Sequence, residues 1–480
     1  MLFRLMYDDH LAQAAYLIGC QRTGEAIVFD PERDIDRLLS LARKEGVRIT
    51  AVAETHIHAD FLSGARELAE ATGARLYLSD EGGPDWKYQW LHAKSGGGAY
   101  DHRLLKHNDT FKVGNIEFRA LHTPGHTPEH LCFLVTDLGS GATEPMGLIS
   151  GDFIFVGDLG RPDLLETAAG QVGAKEPAAR DLFKSVQRFL ELPDFLQVWP
   201  AHGAGSACGK ALGAVPQSTV GYEKRFNPSI RAAASGQAAF VDFILSGQPD
   251  PPLYFARMKR LNKLGPPVLG DLPRPRALAA SELAALSTRS EAIIDTRTWK
   301  EFIAGHIPGS LYIPLDNSFN TLAGSYILDD SLPITLIIDP ARLDTAIRDL
   351  IRIGLDHIAS YAAPSVFAEF ARTARGLAVG KELDVQTAAP RARNGEFFLL
   401  DVRTPAEFAA GHLPGAININ HTQLAAHISR LPRDKPMLVN CRSGGRSARA
   451  CALLQQAGYN AINLGGGFMA WEQAGLPTER

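Results

Sequence analysis

Two fifteen-residue stretches of this 480-residue chain, Asp295 to Gly309 and Asp401 to Gly415, are identical at ten positions. Both read Asp-x-Arg, then Glu-Phe, then Gly-His-x-Pro-Gly, at an offset of 106 residues. A repeat of that length requires two homologous domains in the second half of the chain. The first half shares nothing with them, and about 150 residues per domain is the usual prior, so three domains are expected. The expected boundaries are 1–245, 277–377 and 383–480, with residues 246–276 as a linker because Pro249-Asp-Pro-Pro252, Gly265-Pro-Pro and Gly270 to Pro275 punctuate it. The basic stretch Arg257 to Lys263 inside that segment is read as a solvated helix face.

The first domain carries histidines and aspartates in a telling order. Glu54-Thr-His56-Ile-His58-Ala-Asp60-Phe61 comes first, followed by His126 in Thr-Pro-Gly-His-Thr, Asp152 in Ser-Gly-Asp, and His202 in Pro-Ala-His-Gly. Short apolar runs such as Leu148-Ile149 and Phe195 to Trp199 precede the later ones, and turn residues follow them. That pattern puts the set on loops at one edge of a sandwich. A single histidine is usually a satisfied core or surface residue, but an ordered set at strand ends points to a metal.

His-x-His-x-Asp-His is the metal motif of the metallo-β-lactamase fold, and here Phe61 replaces its last ligand. The first 245 residues resemble the persulfide dioxygenase branch of that superfamily. The resemblance implies an αββα sandwich and one Fe(II) per chain held by His56, His126 and Asp152. Two imidazoles and a carboxylate form a facial triad that leaves positions for O2, the persulfide sulfur and water. It also implies that His58, Asp60 and His202 surround the metal and orient its ligands, with direct ligation still open. Arg161, in Gly-Arg-x-Asp, is expected by analogy to hold the carboxylate of the thiol carrier; pairing with Asp158 or Asp163 is the alternative. Cys208, six residues past His202, is a candidate sulfur acceptor near the iron or else a small buried thiol.

The repeated pattern resembles the signature of rhodanese sulfurtransferases, which are α/β domains with central parallel sheets. In that family Asp-x-Arg and Gly-His-x-Pro-Gly are structural, so Asp401, Arg403 and Gly411 to Gly415 are expected to shape turns. Chemistry belongs to a cysteine. Only the second copy has one in place: Met437 to Asn440 reads as a strand, Cys441-Arg442-Ser-Gly-Gly-Arg446 as a loop, and Ser447 to Ala457 as a helix. A thiol at a helix mouth with two arginines nearby is set up to carry anionic sulfane sulfur, and Arg442 and Arg446 are candidates for attracting thiosulfate or sulfite. The corresponding stretch of the first copy, Ile334 to Thr345, holds no cysteine, and that domain is read as a spacer or docking platform.

Composition narrows the function classes. A formal charge of −4 offers no basic surface for nucleic acid, no run of eighteen apolar residues offers a membrane span, and the amino terminus lacks the apolar core of a signal peptide. Five cysteines in 480 residues are no disulfide framework, and a reducing, cytoplasmic setting is expected. The assembled order resembles multidomain persulfide dioxygenase-sulfurtransferase fusions, a resemblance that implies an enzyme of sulfide detoxification, and a homo-oligomer is expected. Its partners are small-molecule persulfides such as glutathione persulfide, O2, and sulfite or thiosulfate. Two other readings remain: a dinuclear zinc thioester hydrolase of glyoxalase II type fused to a sulfurtransferase, and a non-catalytic sulfur carrier or sensor. The aromatic and glycine-rich stretch between residues 80 and 110 is expected as a mobile wall of the substrate pocket.

Overall fold

Alternation within strands that are buried on both faces shows how the first half of the chain is layered. In Gln13–Cys20, the residues Ala14, Tyr16, Ile18 and Cys20 enter one core while Leu17 enters another. Phe133 and Val135 likewise face opposite to Cys132 and Leu134 in the strand Leu131–Asp137. A period of two with both faces apolar requires cover on each side of each sheet. The structure, a computed structural model describing residues 1–374 and 376–480, meets that requirement with an αββα sandwich.

One six-stranded sheet runs in chain order from Leu2–Asp8 through Gln13–Cys20, Glu25–Phe29, Arg48–Ala53 and Arg75–Ser79 to His102–Leu105. The other runs from Ser218–Thr219 through Gln197–Pro200, Gly147–Gly151, Leu131–Asp137 and Ile116–His122 to Thr110–Val113. The central core lies between the sheets, where Phe29 meets Phe118 and Phe133 at ring-centroid distances of 5.4 and 5.1 Å. Helices Asp36–Lys44 and Ala65–Thr72 cover one outer face; Lys175–Leu190, Pro228–Ala233 and Gln237–Leu245 cover the other.

The chain divides into two compact units: Met1–Asp271 with Ile351–Gly354, and Leu272–Leu350 with Leu355–Arg480. The segment expected as a linker is therefore mostly part of the first unit. Its helix Phe255–Leu264 buries Phe255, Met258 and Asn262.

The second unit confirms the repeat. Its two five-stranded parallel sheets share one strand order. The first is Arg276–Ala277, Ile358–Ala362, Ile334–Ile337, Ala292–Asp295, Leu311–Tyr312; the second is Glu382–Leu383, Ala461–Leu464, Met437–Asn440, Phe398–Asp401, Ile417–Asn418. The repeated motif is a bracket. Arg297 and Arg403 pair with the aspartate two residues before them and donate to the carbonyls of Gly305 and Gly411 at 2.9 and 2.6 Å. His306 and His412 each stack on the phenylalanine four residues earlier, at 3.8 and 3.7 Å between ring centroids. No helix among the described residues is long and apolar enough to cross a membrane.

Candidate metal centre and sulfur-transfer site

The loops after four strand ends of the first unit bring together the histidines and aspartates of the sequence analysis. His56, His126 and Asp152 offer ligand atoms within 4.8 Å of one another, and so do Asp60, His202 and Cys208. All six residues are buried. Asp152 stands between the two groups: one carboxylate oxygen is 3.5 Å from His126 Nε2 and the other 3.4 Å from His202 Nε2. Gly151 makes this possible, because its backbone turns at φ +53° and a Cβ there would lie 2.7 Å from His130 Nε2.

Hydrogen bonds to the rear nitrogens decide which lone pairs face inward. Thr55 donates its hydroxyl to Asp30 at 2.9 Å, so it accepts from His56 Nδ1 at 3.0 Å and leaves His56 Nε2 free. His126 Nδ1 donates to the Arg161 carbonyl at 3.1 Å, and His202 Nδ1 donates to the Ala12 carbonyl at 3.0 Å. Burial holds His56 and His126 well below the ordinary imidazole range, so both present neutral nitrogens. Burial alone would do the same to His202, but Asp152, Cys208 and Asp60 around it win and raise it well above that range. Burial also raises Asp152. Both oxygens of Asp152, Asp60 Oδ1 and His58 Nδ1 are buried without a hydrogen-bond partner among the described residues, while His202 Nε2 lies 3.2 Å from Asp60 Oδ2. Such a concentration of orphaned acceptors draws a cation, and its N/O donor set fits a divalent metal.

His58 belongs to neither group. Its Nε2 lies 3.1 Å from Asp30 and its ring packs on Phe61 at 4.5 Å between centroids. Phe61 is fully buried, in the place the intact motif gives to a nitrogen ligand.

Arg161 departs from its expected role. It is buried, and its guanidinium is held bidentately by Asp163 at 2.9 and 2.5 Å and donates to the carbonyls of Ala207 and Pro249 at 3.1 and 2.7 Å. The alternative pairing with Asp163 is the one observed, and it takes up Nε and one terminal nitrogen of the fork. Cys208 does reach the metal region, on a loop pinned where Asp158 accepts from the Lys210 and Ala211 amides at 2.9 Å each. Burial pushes its thiol up to about 12. The aromatic stretch is a packed element rather than a mobile wall: Trp86, Tyr88 and Trp90 are all buried, and Trp90 Nε1 donates to the Asn262 carbonyl at 3.1 Å.

In the second unit Cys441 follows the strand Met437–Asn440 and precedes the helix Gly445–Gln456. Its sulfur accepts from the Gly444 amide at 3.1 Å and from the Ser447 hydroxyl at 3.3 Å. Gly467 closes the floor, since a Cβ there would stand 2.4 Å from the Cys441 carbonyl oxygen. Arg442 is exposed. Arg446 is held by both Glu407 oxygens at 2.7 and 2.6 Å.

Comparison with known proteins agrees with this layout. Residues 8–202 match the metallo-beta-lactamase superfamily model, and residues 279–341 and 384–474 match the rhodanese-like domain model. A crystal structure of a metallo-beta-lactamase from Staphylococcus aureus subsp. aureus COL is 43% identical, covers 76% of this chain and 99% of its own, and superposes with a TM-score of 0.66. The chain belongs to the metallo-beta-lactamase superfamily. A hydroxyacylglutathione hydrolase from Polaromonas sp. is 31% identical over 279 residues, 51% of this chain and 92% of its own length. A sulfurtransferase from Allochromatium vinosum is 42% identical over 98 residues, 20% of this chain and 92% of its own.

Several residues of this superfamily member's site escape sequence reasoning. His130 Nε2 accepts the Asp152 amide at 3.0 Å while its Nδ1 donates to Thr123 at 2.8 Å, fixing the backbone of a ligand residue. Glu129 accepts the Ile57 amide at 2.8 Å, and Lys259 donates to the Ile57 carbonyl at 3.1 Å. His130 stands four residues after His126, within reach of the same motif; Lys259 lies over a hundred residues from every candidate ligand except those at 202 and 208, and carries no motif.

Proposed function

We propose that this chain joins a mononuclear iron persulfide dioxygenase to a sulfurtransferase. The single observation that carries the proposal is Phe61 packed on His58 beside a two-histidine, one-carboxylate group. A hydrolytic dinuclear site draws nitrogen from that position, and a phenyl ring supplies none. A ferrous ion held by His56, His126 and Asp152 would supply redox chemistry toward dioxygen that zinc lacks.

The overall reaction balances as RSSH + O2 + H2O → RSH + SO3²⁻ + 2H⁺. Within it the protein's own residues have separable tasks. Thr55 and the Arg161 carbonyl hold His56 and His126 in the tautomer that faces inward, and His130 fixes the Asp152 backbone. Asp60 and His202 hold protons or water beside them. In the second unit the Cys441 thiolate attacks the outer sulfur of a further persulfide RSSH, the S–S bond to R–S breaks, and the proton of the outer sulfur passes to the leaving thiolate, giving a Cys–S–S⁻ group and RSH. Sulfite then attacks that outer sulfur, the S–S bond breaks to restore the Cys441 thiolate, and thiosulfate leaves. The Gly444 amide and Ser447 hydroxyl donate to the cysteine sulfur, an interaction strengthened by negative charge. Having both sites on one chain raises the local concentration of sulfite.

Two observations favour the hydrolase reading: Asp152 faces both candidate groups, as a carboxylate shared by two metals does, and a hydroxyacylglutathione hydrolase is among the relatives. Metal analysis of anaerobically purified protein, with oxygen consumption on adding glutathione persulfide, separates the two. One iron per chain and O2 uptake that Asp152→Ala abolishes is the expected result. Two zincs, thioester turnover and no O2 uptake would replace the dioxygenase with the hydrolase.

A further inference from the structure

The helix Phe255–Leu264 lies beyond residues 8–202 that match the superfamily model, yet it reaches the metal loop twice. Asn262 donates to the carbonyls of His58 and Phe61 at 2.9 and 2.8 Å and accepts the Ser63 amide at 2.9 Å. One turn earlier, Lys259 places its ammonium 3.1 Å from the carbonyl of Ile57, the residue between His56 and His58, and 4.4 Å from the centre of the Trp86 ring.

A lysine ammonium has three N–H donors. One goes to Ile57, the Trp86 face satisfies charge but accepts no conventional hydrogen bond, and Lys259 makes no ion pair with a described residue. Two donors are left on a cation at the edge of the metal loop. Its field is felt on every side of that loop. The acidic groups within its electrostatic reach are Glu129, Asp152 and Asp60. Burial lowers the ammonium itself to about 8. Glu129 is the first of these charges, and one of its oxygens already accepts the Ile57 amide while the other has no partner.

We propose that Lys259 is the anion receptor of the metal centre, a specificity residue that favours a singly charged sulfur or pseudohalide ligand over a neutral one. Extended to persulfide as the natural ligand, the inference rests on the dioxygenase reading. The anionic terminal sulfur would take the spare N–H donors of Lys259, and the apolar Trp86 ring would exclude the water that competes for them. The preference for anions itself stands on the residues alone.

The test uses the full-length protein with cobalt in the metal centre, read by its visible spectrum, with azide as the anionic probe and imidazole as the neutral one. Lys259→Met should weaken azide by about tenfold, the scale of one charged hydrogen bond, with cobalt uptake and imidazole affinity kept. Lys259→Arg, which keeps charge and donors, should retain azide binding within about threefold. Azide affinity unchanged in Lys259→Met would overturn the proposal. So would equal losses of azide and imidazole in Lys259→Arg, the outcome that decides the matter if Lys259→Met fails to take up metal, because it would make Lys259 a scaffold residue. With glutathione persulfide, Lys259→Met should raise KM about tenfold while kcat changes little. A wild-type protein that binds azide in this Lys259-dependent way but consumes no O2 with persulfide would retain the receptor and remove the dioxygenase.

Discussion

The two copies of the rhodanese-like domain share a scaffold and differ where the thiol stands. Sheet register aligns Asp295 with Ile337 and Asp401 with Asn440, so the residue in the place of Cys441 is Ile338. From that point the chains diverge. After Ile338 the first copy runs into Asp339, whose carboxylate accepts the Ala341 amide at 3.0 Å and caps a tight turn, Pro340–Arg342, leading directly into the helix Leu343–Arg352. In the second copy the loop stays open around the sulfur, and its amide and hydroxyl donors point at Sγ. The brackets built on Asp295–Arg297 and Asp401–Arg403 survive in both copies, so the scaffold persists in the copy that lacks the cysteine.

The sharpest way to break this comparison is to exchange the thiol. Cys441→Ala should abolish sulfur transfer from thiosulfate to cyanide, a loss of about a thousandfold for a missing nucleophile. Ile338→Cys should restore none of it, because a thiol there meets no open loop; measurable transfer by that variant would show the loop to be dispensable. Next in size come the brackets. Asp295→Ala leaves the half-buried Arg297 unpaired and Asp401→Ala the buried Arg403, and each should cost up to about 3 kcal/mol in urea unfolding, by the usual penalty for half of a buried ion pair. The loss at Asp401 should be the larger, since Asn440 also donates to it at 3.1 Å and Ile337 has nothing to donate. Equal losses would deny Asn440 its part.

The smallest effect should be at the helix caps. Glu301 and Glu407 each close a capping box with the threonine three residues earlier, but only Glu407 also holds Arg446. That hydrogen bond, opposed by partial burial, takes Glu407 from 4.5 to about 2. A depressed carboxyl stabilises the fold above its unfolded pKa, and the contribution fades as pH falls from 4.5 toward 2. Glu407→Gln should therefore lose under about 1 kcal/mol near neutral pH, discounted for exposure, with the difference from wild type closing in acid. A difference that widened in acid would contradict the sign.

What was legible in the sequence follows from where the information lies. The repeat, the sandwich and the convergence of His56, His126 and Asp152 rest on local patterns: strand periodicity, turn residues after strand ends, and motif order. Arg161 misled because an Arg-x-Asp spacing allows either a ligand fork or an internal pair, and only burial distinguishes them. The aromatic stretch misled because glycines suggest mobility, whereas Trp90 and Tyr88 pack in the core under the helix Ala65–Thr72. Lys259 was assigned to solvent because a basic helical run usually faces it. Its partner is the backbone of Ile57, and a carbonyl 202 residues away leaves no trace in side-chain patterns.

Asn262 bears on how separable this catalyst is. A fragment ending at residue 245, the boundary that the punctuation of the chain suggests, would retain every candidate metal ligand. It would also strand the carbonyls of His58 and Phe61 and the Ser63 amide, the three backbone groups that Asn262 now satisfies. Excision there should leave the sandwich folded but let the motif loop exchange its amide hydrogens faster than the strands around it. The first compact unit runs on to Asp271 and takes in Ile351–Gly354 as well, so a cut at residue 245 passes through one unit rather than between two.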